Sequence, residues 1–564
     1  MTRTLLVALA ITWFVCAWWA RREFLPYDVN NTDIATTLHQ AQTFAAGKIW
    51  RPSPEPREFF QQYQVIVRER SYTYYPPGHA LAITLPVAWN TDPWIVPWIL
   101  STLGILLMYA WASRMAGRTT AGIATCLLAL SPFFAANAPS LLSHSTALFL
   151  TLLFLCAVAR WQQEGGLWTA CLAGLSLAGI YATRSPNAAA LGAVWIPWIF
   201  WMRRDQWKKD SRLWAAFALG TAFITFPLLM YYRILGGRWR LDLFTDYWPR
   251  NKFGFGRMLG RGETGQYFQT YTNHDLHGMI ENWKYNFLNL SDWWSGSIAL
   301  SVIFLALAIY FLSSMIPRSA FRVPRLFPLL LWPALHILLY SLYYTPSTGF
   351  SGPRYLFEIV PALALGCGWV LSRMSSTRLG KPACVFLFLA AVIFSVRGKT
   401  FLYGQNAAGI QPRQQVEQCV LRGARPPAIV FLRSFWLGHP YPIFLNQPDL
   451  KGPILYACDR GAEDKRLVAA HPDRNAYVLD VTPLSPHSVR TELIPVYDAS
   501  TRRWLKEPEK ISAPFFIGGS FTRPVELSGE MVQRLFYPKR EDVEPQPSIK
   551  PQRWPLVPDP STTP

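Results

Sequence analysis

The chain has 564 residues, 51% of them hydrophobic and 15% aromatic, with only 16% charged. Soluble domains average about a quarter charged residues, so this deficit excludes an ordinary soluble protein and points to a bilayer. The net charge of +20 is largely placed in short loops between apolar blocks, which excludes a nucleic-acid partner as its explanation.

Apolar blocks of about 16–22 residues recur through roughly the first 400 residues, long enough to cross a ~30 Å hydrocarbon core as helices. About eleven spans are predicted, near 4–20, 93–113, 119–137, 144–160, 167–183, 187–202, 213–233, 296–315, 326–344, 355–372 and 382–397. The first ends in Trp18-Trp19-Ala20-Arg21-Arg22 without a small-x-small cleavage pattern, so it reads as a retained anchor. Arg3, Arg114, Arg118, Arg203, Arg204, Lys208, Lys209, Arg212, Arg318, Arg322, Arg325, Arg373, Arg378 and Lys381 then fall on one side, the cytoplasm. Loops 21–77 and 234–295 and everything after 397 fall outside.

The first outside loop has helical spacing in Ile34, Leu38, Ala41, Phe44 and Ala45, with Thr36, His39, Gln40 and Gln42 on other faces. Asn31 or Thr32 caps the helix and Gly47 stops it. This predicts an amphipathic helix lying on the membrane with Asp33 in its first turn, where the helix dipole favours an ionised carboxylate. Residues 51–58, rich in Pro, Arg and Glu, read as an irregular connection. Pro76-Pro77-Gly78 forbids a continuous helix and permits a tight reversal into the short apolar stretch 78–90, a re-entrant or interfacial helix.

In the second outside loop, Phe253-Gly254-Phe255-Gly256 lacks the strand and the Gly-Lys-Ser/Thr of a phosphate loop, and reads as a bend held against the membrane by aromatics. His274 and Trp293-Trp294 follow before the next span. Residues 398–539 form a soluble α/β domain with strands at Ala428-Ile-Val-Phe-Leu, Ile454-Leu-Tyr and Ala476-Tyr-Val-Leu-Asp, and 540–564 a Pro-rich disordered tail. Six of the eight cysteines lie in predicted spans, so only Cys419 and Cys458 are placed to form a disulfide in an oxidising compartment. No Cys/His metal spacing occurs, and no metal or cofactor is expected.

Ionisable and aromatic groups gather at the outer ends of spans: Asp33, Tyr75 and His79, then His144, Arg184, Arg354, Tyr355 and Glu358. Such groups at membrane depth are costly and mark function. They suit glycosyl transfer from a polyprenyl-phosphate sugar, in which one carboxylate, Asp33, takes the proton of the attacking hydroxyl. Arg354 and Arg184 match the lipid phosphate, with Tyr355 beside them, while Tyr75, His79, His144 and Glu358 shape the site. Each has a plainer reading: Asp33 as a helix cap, the arginines as headgroup anchors, His144 as a helix-start residue, Glu358 as the neutraliser of Arg354 one turn back.

The stretch Asp33-Ile-Ala-Thr-Thr-Leu-His-Gln-Ala-Gln-Thr-Phe-Ala-Ala-Gly47, then Tyr75-Pro-Pro-Gly-His-Ala-Leu81, Ser143-His144, Thr183-Arg184-Ser-Pro186 and Gly352-Pro-Arg-Tyr355, resembles the polytopic GT-C glycosyltransferases. The resemblance is to family 39-type enzymes, the protein O-mannosyltransferases and aminoarabinose-lipid A transferases, and covers about residues 1–400. It implies a bacterial inner-membrane enzyme that inverts the sugar, with an undecaprenyl- or related polyprenyl-phosphate donor, a glycan, lipid or protein acceptor, and Asp33 as base. One departure stands out. The family often carries Asp-Glu here, whereas Ile34 follows Asp33, and Asp28 substitutes only if the loop folds back. Two other readings compete: a transporter or flippase of lipid-linked sugars, which calls for ionisable groups near the middle of spans, and a non-catalytic membrane scaffold.

Overall fold

The protein is described by a computed structural model over residues 2–506, apart from 24–31, 61–63, 207, 248–252, 261–270, 316–326, 344–351, 376–379, 433–445, 448 and 486–487. The Pro-rich tail, Asp28, Asn31, Arg318, Arg322, Arg325, Arg378 and the side chain of Thr32 lie outside the described residues.

Helices α1 (Arg3–Glu23) and α2 (Thr32–Ala45) are followed by three short strands, β1 (Arg51–Pro52), β2 (Val65–Val67) and β3 (Arg70–Thr73). Then come α3 (Gly78–Ala88), α4 (Ile95–Ala116), α5 (Arg118–Leu130), α6 (Pro132–Asn137), α7 (His144–Glu164), α8 (Leu167–Tyr181), α9 (Ser185–Met202) and α10 (Ser211–Gly236). The second outside loop holds α11 (Phe244–Tyr247), a hairpin of β4 (Gly256–Gly260) and β5 (Tyr271–His274), and α12 (Leu276–Ser295). After it run α13 (Ile298–Met315), α14 (Phe327–Ser341), a 3-10 helix over Arg354–Ile359, α15 (Val360–Ser375) and α16 (Gly380–Gly423).

Each predicted apolar span falls on a helix or on two consecutive ones. Among the described residues, five helices are long and apolar enough to cross a bilayer, and α12 with α13 make a sixth only if their 98° bend is one broken span. Other predicted spans fall on shorter apolar helices, such as Leu167–Tyr181 and Phe327–Ser341. At the end of the bundle away from α2, Arg114 pairs with Glu164 at 2.9 Å and Arg203 donates to the Trp161 carbonyl at 3.1 Å. The basic clusters of those loops therefore sit together, as the charge pattern requires.

Helix α2 is not a surface helix. Ile34 and Ala41 are fully buried, as the apolar stripe predicts, but so are Thr36 and Gln40. Protein groups bond that polar side: Thr36 donates to Gln64 Oε1 at 2.9 Å, and Gln40 donates to Tyr231 Oη at 3.1 Å and the Tyr75 carbonyl at 3.2 Å. A buried hydroxyl or amide is tolerated only when bonded in this way. Gly47, with φ of 70°, ends the helix as expected.

The predicted irregular connection over 51–58 instead contributes β1 to a small sheet of order β1-β3-β2. Strands this short carry too little alternation to be read from sequence. The Phe253-Gly254 bend is fastened beyond α14, where Gly254 N–H donates to the Leu342 carbonyl at 2.9 Å and the Phe253 ring lies 5.0 Å from that of Tyr343, while Phe255 stays exposed.

Helix α16 runs unbroken for 44 residues, through the boundary predicted after 397, and leads into the C-terminal sheet. That sheet comprises β6 (Ala428–Leu432), β7 (Ile454–Cys458), β8 (Asn475–Ser485), β9 (Ser488–Asp498) and β10 (Arg503–Trp504), with α17 (Asp464–Ala470) between β7 and β8. The order is β10-β9-β8-β6-β7, with β6 parallel to both neighbours and β9 antiparallel to β8. The three predicted strands are present; β9 and β10 went unread because charge and Pro495 interrupt their pattern. Cys419 and Cys458 are not joined by a disulfide. One face of the sheet buries Phe59 and Phe60 of the first outside loop against Ile429, Phe431 and Leu455. The other joins Ile66, Tyr72 and Tyr74 through Val430, Leu432 and Tyr456.

Gly78 is required for close approach and not for a left-handed turn. Its N–H donates to the Ala182 carbonyl, and a Cβ there would lie 2.6 Å from Thr183 Oγ1. Gly78→Ala is expected to cost roughly 1–3 kcal/mol and lower the midpoint of thermal unfolding in detergent. Gly104→Ala, whose Cβ would meet only Leu152 Cδ1 at 3.6 Å, should leave that midpoint near the parent value.

Candidate active site

The candidate site lies where α2, the Tyr75 approach to α3, the α8–α9 corner and the 3-10 helix over Arg354–Ile359 meet. Asp33 projects from the first turn of α2, and its Oδ2 lies 3.0 Å from Arg354 Nη2. Its other oxygen, Oδ1, accepts from Tyr75 Oη at 2.7 Å and from Gln64 Nε2 at 2.8 Å. Thr37 Oγ1 donates back to the Asp33 carbonyl at 2.7 Å, closing the first turn. The carboxylate keeps 25% of its side-chain surface and Arg354 keeps 18%, so the pair is shielded without being sealed.

Burial alone would raise the Asp33 carboxyl. The Arg354 guanidinium, the hydrogen bonds from Tyr75 and Gln64, and the field of Arg184 outweigh it and hold the group below the usual carboxylate value. Asp33 is thus an ionised acceptor at neutral pH. Burial and the adjacent Asp33 charge push the Tyr75 phenol well up, which keeps it a donor.

A second charged set sits beside the first. Glu358 Oε1 lies 3.4 Å from Arg184 Nε and 3.4 Å from His144 Nδ1, with Glu358 and His144 almost fully buried. Glu358 therefore serves Arg184 and not Arg354, contrary to the helical-neighbour expectation. The reason is local geometry: residues 354–359 form a 3-10 helix, in which positions four apart diverge by about 120°.

The Tyr355 ring lies near both cations, 5.6 Å from Arg184 and 5.9 Å from Arg354. It stacks on Tyr340 at 5.0 Å, and His336 Nε2 bonds its carbonyl oxygen at 2.9 Å. Tyr340 in turn donates to Asn187 Oδ1 at 2.6 Å.

The structure thus brings Asp33, Tyr75, Arg354, Tyr355, Arg184, His144 and Glu358 into one connected cluster. His79 plays another part: its ring nitrogens bond Thr146 Oγ1 at 2.8 Å and the Leu141 carbonyl at 2.9 Å, fastening α3 to the start of α7. Gln64, Asn187, His336 and Tyr340 were not anticipated. Gln64 lies in a polar loop with no periodicity, and the others read as ordinary span residues. Among the described residues no group of three His, Cys, Asp or Glu is placed to hold a metal ion.

Comparison with solved structures bears on this arrangement. ArnT from Cupriavidus metallidurans bound to undecaprenyl phosphate matches with a TM-score of 0.54 at 13% identity, over 84% of this chain and 92% of that one. Its apo state matches with a TM-score of 0.52 at 13% identity, over 85% and 92%. The chain has the GT-C fold. An Archaeoglobus fulgidus oligosaccharyltransferase in the apo form matches with a TM-score of 0.45 at 12% identity, over 85% of this chain and 70% of that one. Residues 428–503 match a domain family of unknown function, DUF7846. No curated protein matches by sequence. On the GT-C fold the candidate cluster occupies helix termini at one end of the bundle, with the C-terminal sheet packed beside it.

Glu358→Ala would leave Arg184 as a buried cation without its carboxylate, at an expected cost of roughly 3–5 kcal/mol. The double variant with Arg184→Ala should unfold later than the Glu358→Ala single, a difference that thermal melts in detergent will read.

Proposed function

We propose that this protein is a membrane glycosyltransferase that moves a sugar from a polyprenyl-phosphate donor to an acceptor hydroxyl at the extracytoplasmic face of a bacterial inner membrane. The observation that carries the reading is the ionised Asp33 held between Arg354 and the Tyr75–Gln64 donors. A base for a hydroxyl must be charged, partly accessible and fixed in direction, and Asp33 meets all three conditions.

Arg354 spends one nitrogen on Asp33, and a guanidinium carries five N–H donors. The remaining donors suit a phosphate, whose charge grows as the glycosidic bond breaks. As the phosphate draws on Arg354, it weakens the grip on Asp33 and frees the carboxylate to take the acceptor proton. Arg184, 5.6 Å from the same Tyr355 ring, adds positive field nearby. Glu358, 1% exposed and committed to Arg184 and His144, is no second nucleophile. Among the described residues of this cluster Asp33 is the accessible carboxylate, which supports a single displacement with inversion. The undecaprenyl phosphate in the ArnT structure of the same fold is consistent with a lipid-phosphate donor. Placement of the ionisable cluster at helix ends favours chemistry at the bilayer surface over transport through the bundle.

Asp33→Asn should remain folded, with transfer from a polyprenyl-phosphate sugar in nanodiscs reduced about 10²- to 10⁴-fold. Full activity in that variant overturns the assignment. The pH dependence follows from the lowered Asp33 value. Activity is retained above the ordinary carboxylate range and falls only as pH drops through the depressed folded value. Arg354→Ala removes the main lowering influence, so the acid limb of kcat/KM should move to higher pH.

A further inference from the structure

Gln64 is held in a conformation that its own backbone disfavours. Its φ is 66°, in the left-handed region, and it is 4% exposed. Residues other than glycine persist there when the surroundings hold them. Its amide is fully engaged: Nε2 reaches Asp33 Oδ1 at 2.8 Å and Tyr75 Oη at 3.0 Å, while Oε1 accepts from Thr36 at 2.9 Å.

The chain is anchored directly after this residue, and again at Phe59 and Phe60. After it, Val65 pairs with Thr73 and Ile66 with Tyr72 in the small sheet. Before it, Phe59 and Phe60 are 0% and 1% exposed in a core supplied by β6 and β7. The Phe59 and Phe431 rings lie 6.3 Å apart, Arg460 covers Phe59 at 5.8 Å, and Arg466 pairs with Glu58 at 2.7 Å. Phe431, Arg460 and Arg466 all belong to residues 428–503, the stretch matched by the family of unknown function.

We infer that the C-terminal sheet is a clamp in cis, which grips Phe59 and Phe60 and thereby holds Gln64 on Asp33 as a positioning residue. This assigns a role to a domain that the chemistry itself does not require. It deepens the transferase reading and rests on it for its biological meaning, but the contact between sheet and carboxylate can be measured without turnover.

The measurement is pH-dependent carbodiimide labelling of Asp33 in the full chain, read by peptide mass spectrometry, since the protonated carboxyl reacts. The charged and titratable groups facing Asp33 are Arg354 from the 3-10 helix, Tyr75 ahead of α3 and Arg184 from the α8–α9 corner, and every variant keeps them. At a pH about two units above the parent midpoint, where only roughly a hundredth of the parent carboxyl is protonated, Gln64→Ala should raise labelling roughly threefold to tenfold, the effect of one lost charge-assisted hydrogen bond. Phe59→Leu and Phe431→Leu keep apolar volume and should fold. Each should raise labelling in the same direction, and the double variant should add little to either. Unchanged Asp33 labelling in folded Phe59→Leu and Phe431→Leu, or in Gln64→Ala, overturns the clamp. If these shifts occur but no polyprenyl-phosphate sugar is turned over, the clamp stands and the transferase reading fails. If sugar transfer proceeds with the parent acid limb in all variants, the reading stands and the clamp fails.

Discussion

The ion pair between Asp33 and Arg354 is the contact around which the outer end of this molecule is organised. It joins the first outside loop to the start of α15 across most of the sequence. Two charges taken from water repay their desolvation only with good geometry and further hydrogen bonds. Tyr75 and Gln64 supply those bonds to one carboxylate oxygen while Arg354 holds the other. The second cation, Arg184, would repel the first, and the structure answers with its own carboxylate, Glu358. The result is two neighbouring ion pairs with the Tyr355 ring close to both cations.

That arrangement explains why α2 is buried. A helix resting on lipid headgroups could tilt and slide, and its carboxylate with it. Thr36 and Gln40 instead fasten the polar face of α2 to Gln64, Tyr75 and Tyr231. Gly78 lets the next segment sit directly on the Ala182 carbonyl, and His79 ties it to α7. Rigid elements thus surround the carboxylate on several sides, as preorganised chemistry demands. The C-terminal sheet extends the same principle outward, since its core is completed by two phenylalanines from the first loop.

Much of the plan was legible in the residues. Apolar block length marked the helices, basic loops marked one end of the bundle, and the unusual polar groups at span ends marked the other. Asp33, Arg354, Tyr75, Arg184, His144, Tyr355 and Glu358 were all visible, because ionisable and aromatic groups at membrane depth stand out against apolar sequence. What could not be read was who pairs with whom. Glu358 reads as the partner of Arg354 by helical spacing, and only the tighter 3-10 turn sends it to Arg184. His79 reads as a site residue because histidine in an apolar segment invites that reading. Its two hydrogen bonds to α7 and the segment before it exist only in three dimensions.

The sequence by itself determined a helical membrane bundle, a polar loop carrying Asp33 after the first apolar helix, and a β-containing stretch near the C-terminus. These follow from hydrophobic length and periodicity, which are local properties of a chain. Tertiary structure alone decided that α2 is interior, that α12 is a helix bent by 98° from α13, and that Gln64, an unremarkable polar residue in sequence, bonds the carboxylate. It also decided that the C-terminal module is fastened to the loop carrying Asp33. Each of these depends on hydrogen bonds and packing between segments far apart in the chain, which no local pattern encodes.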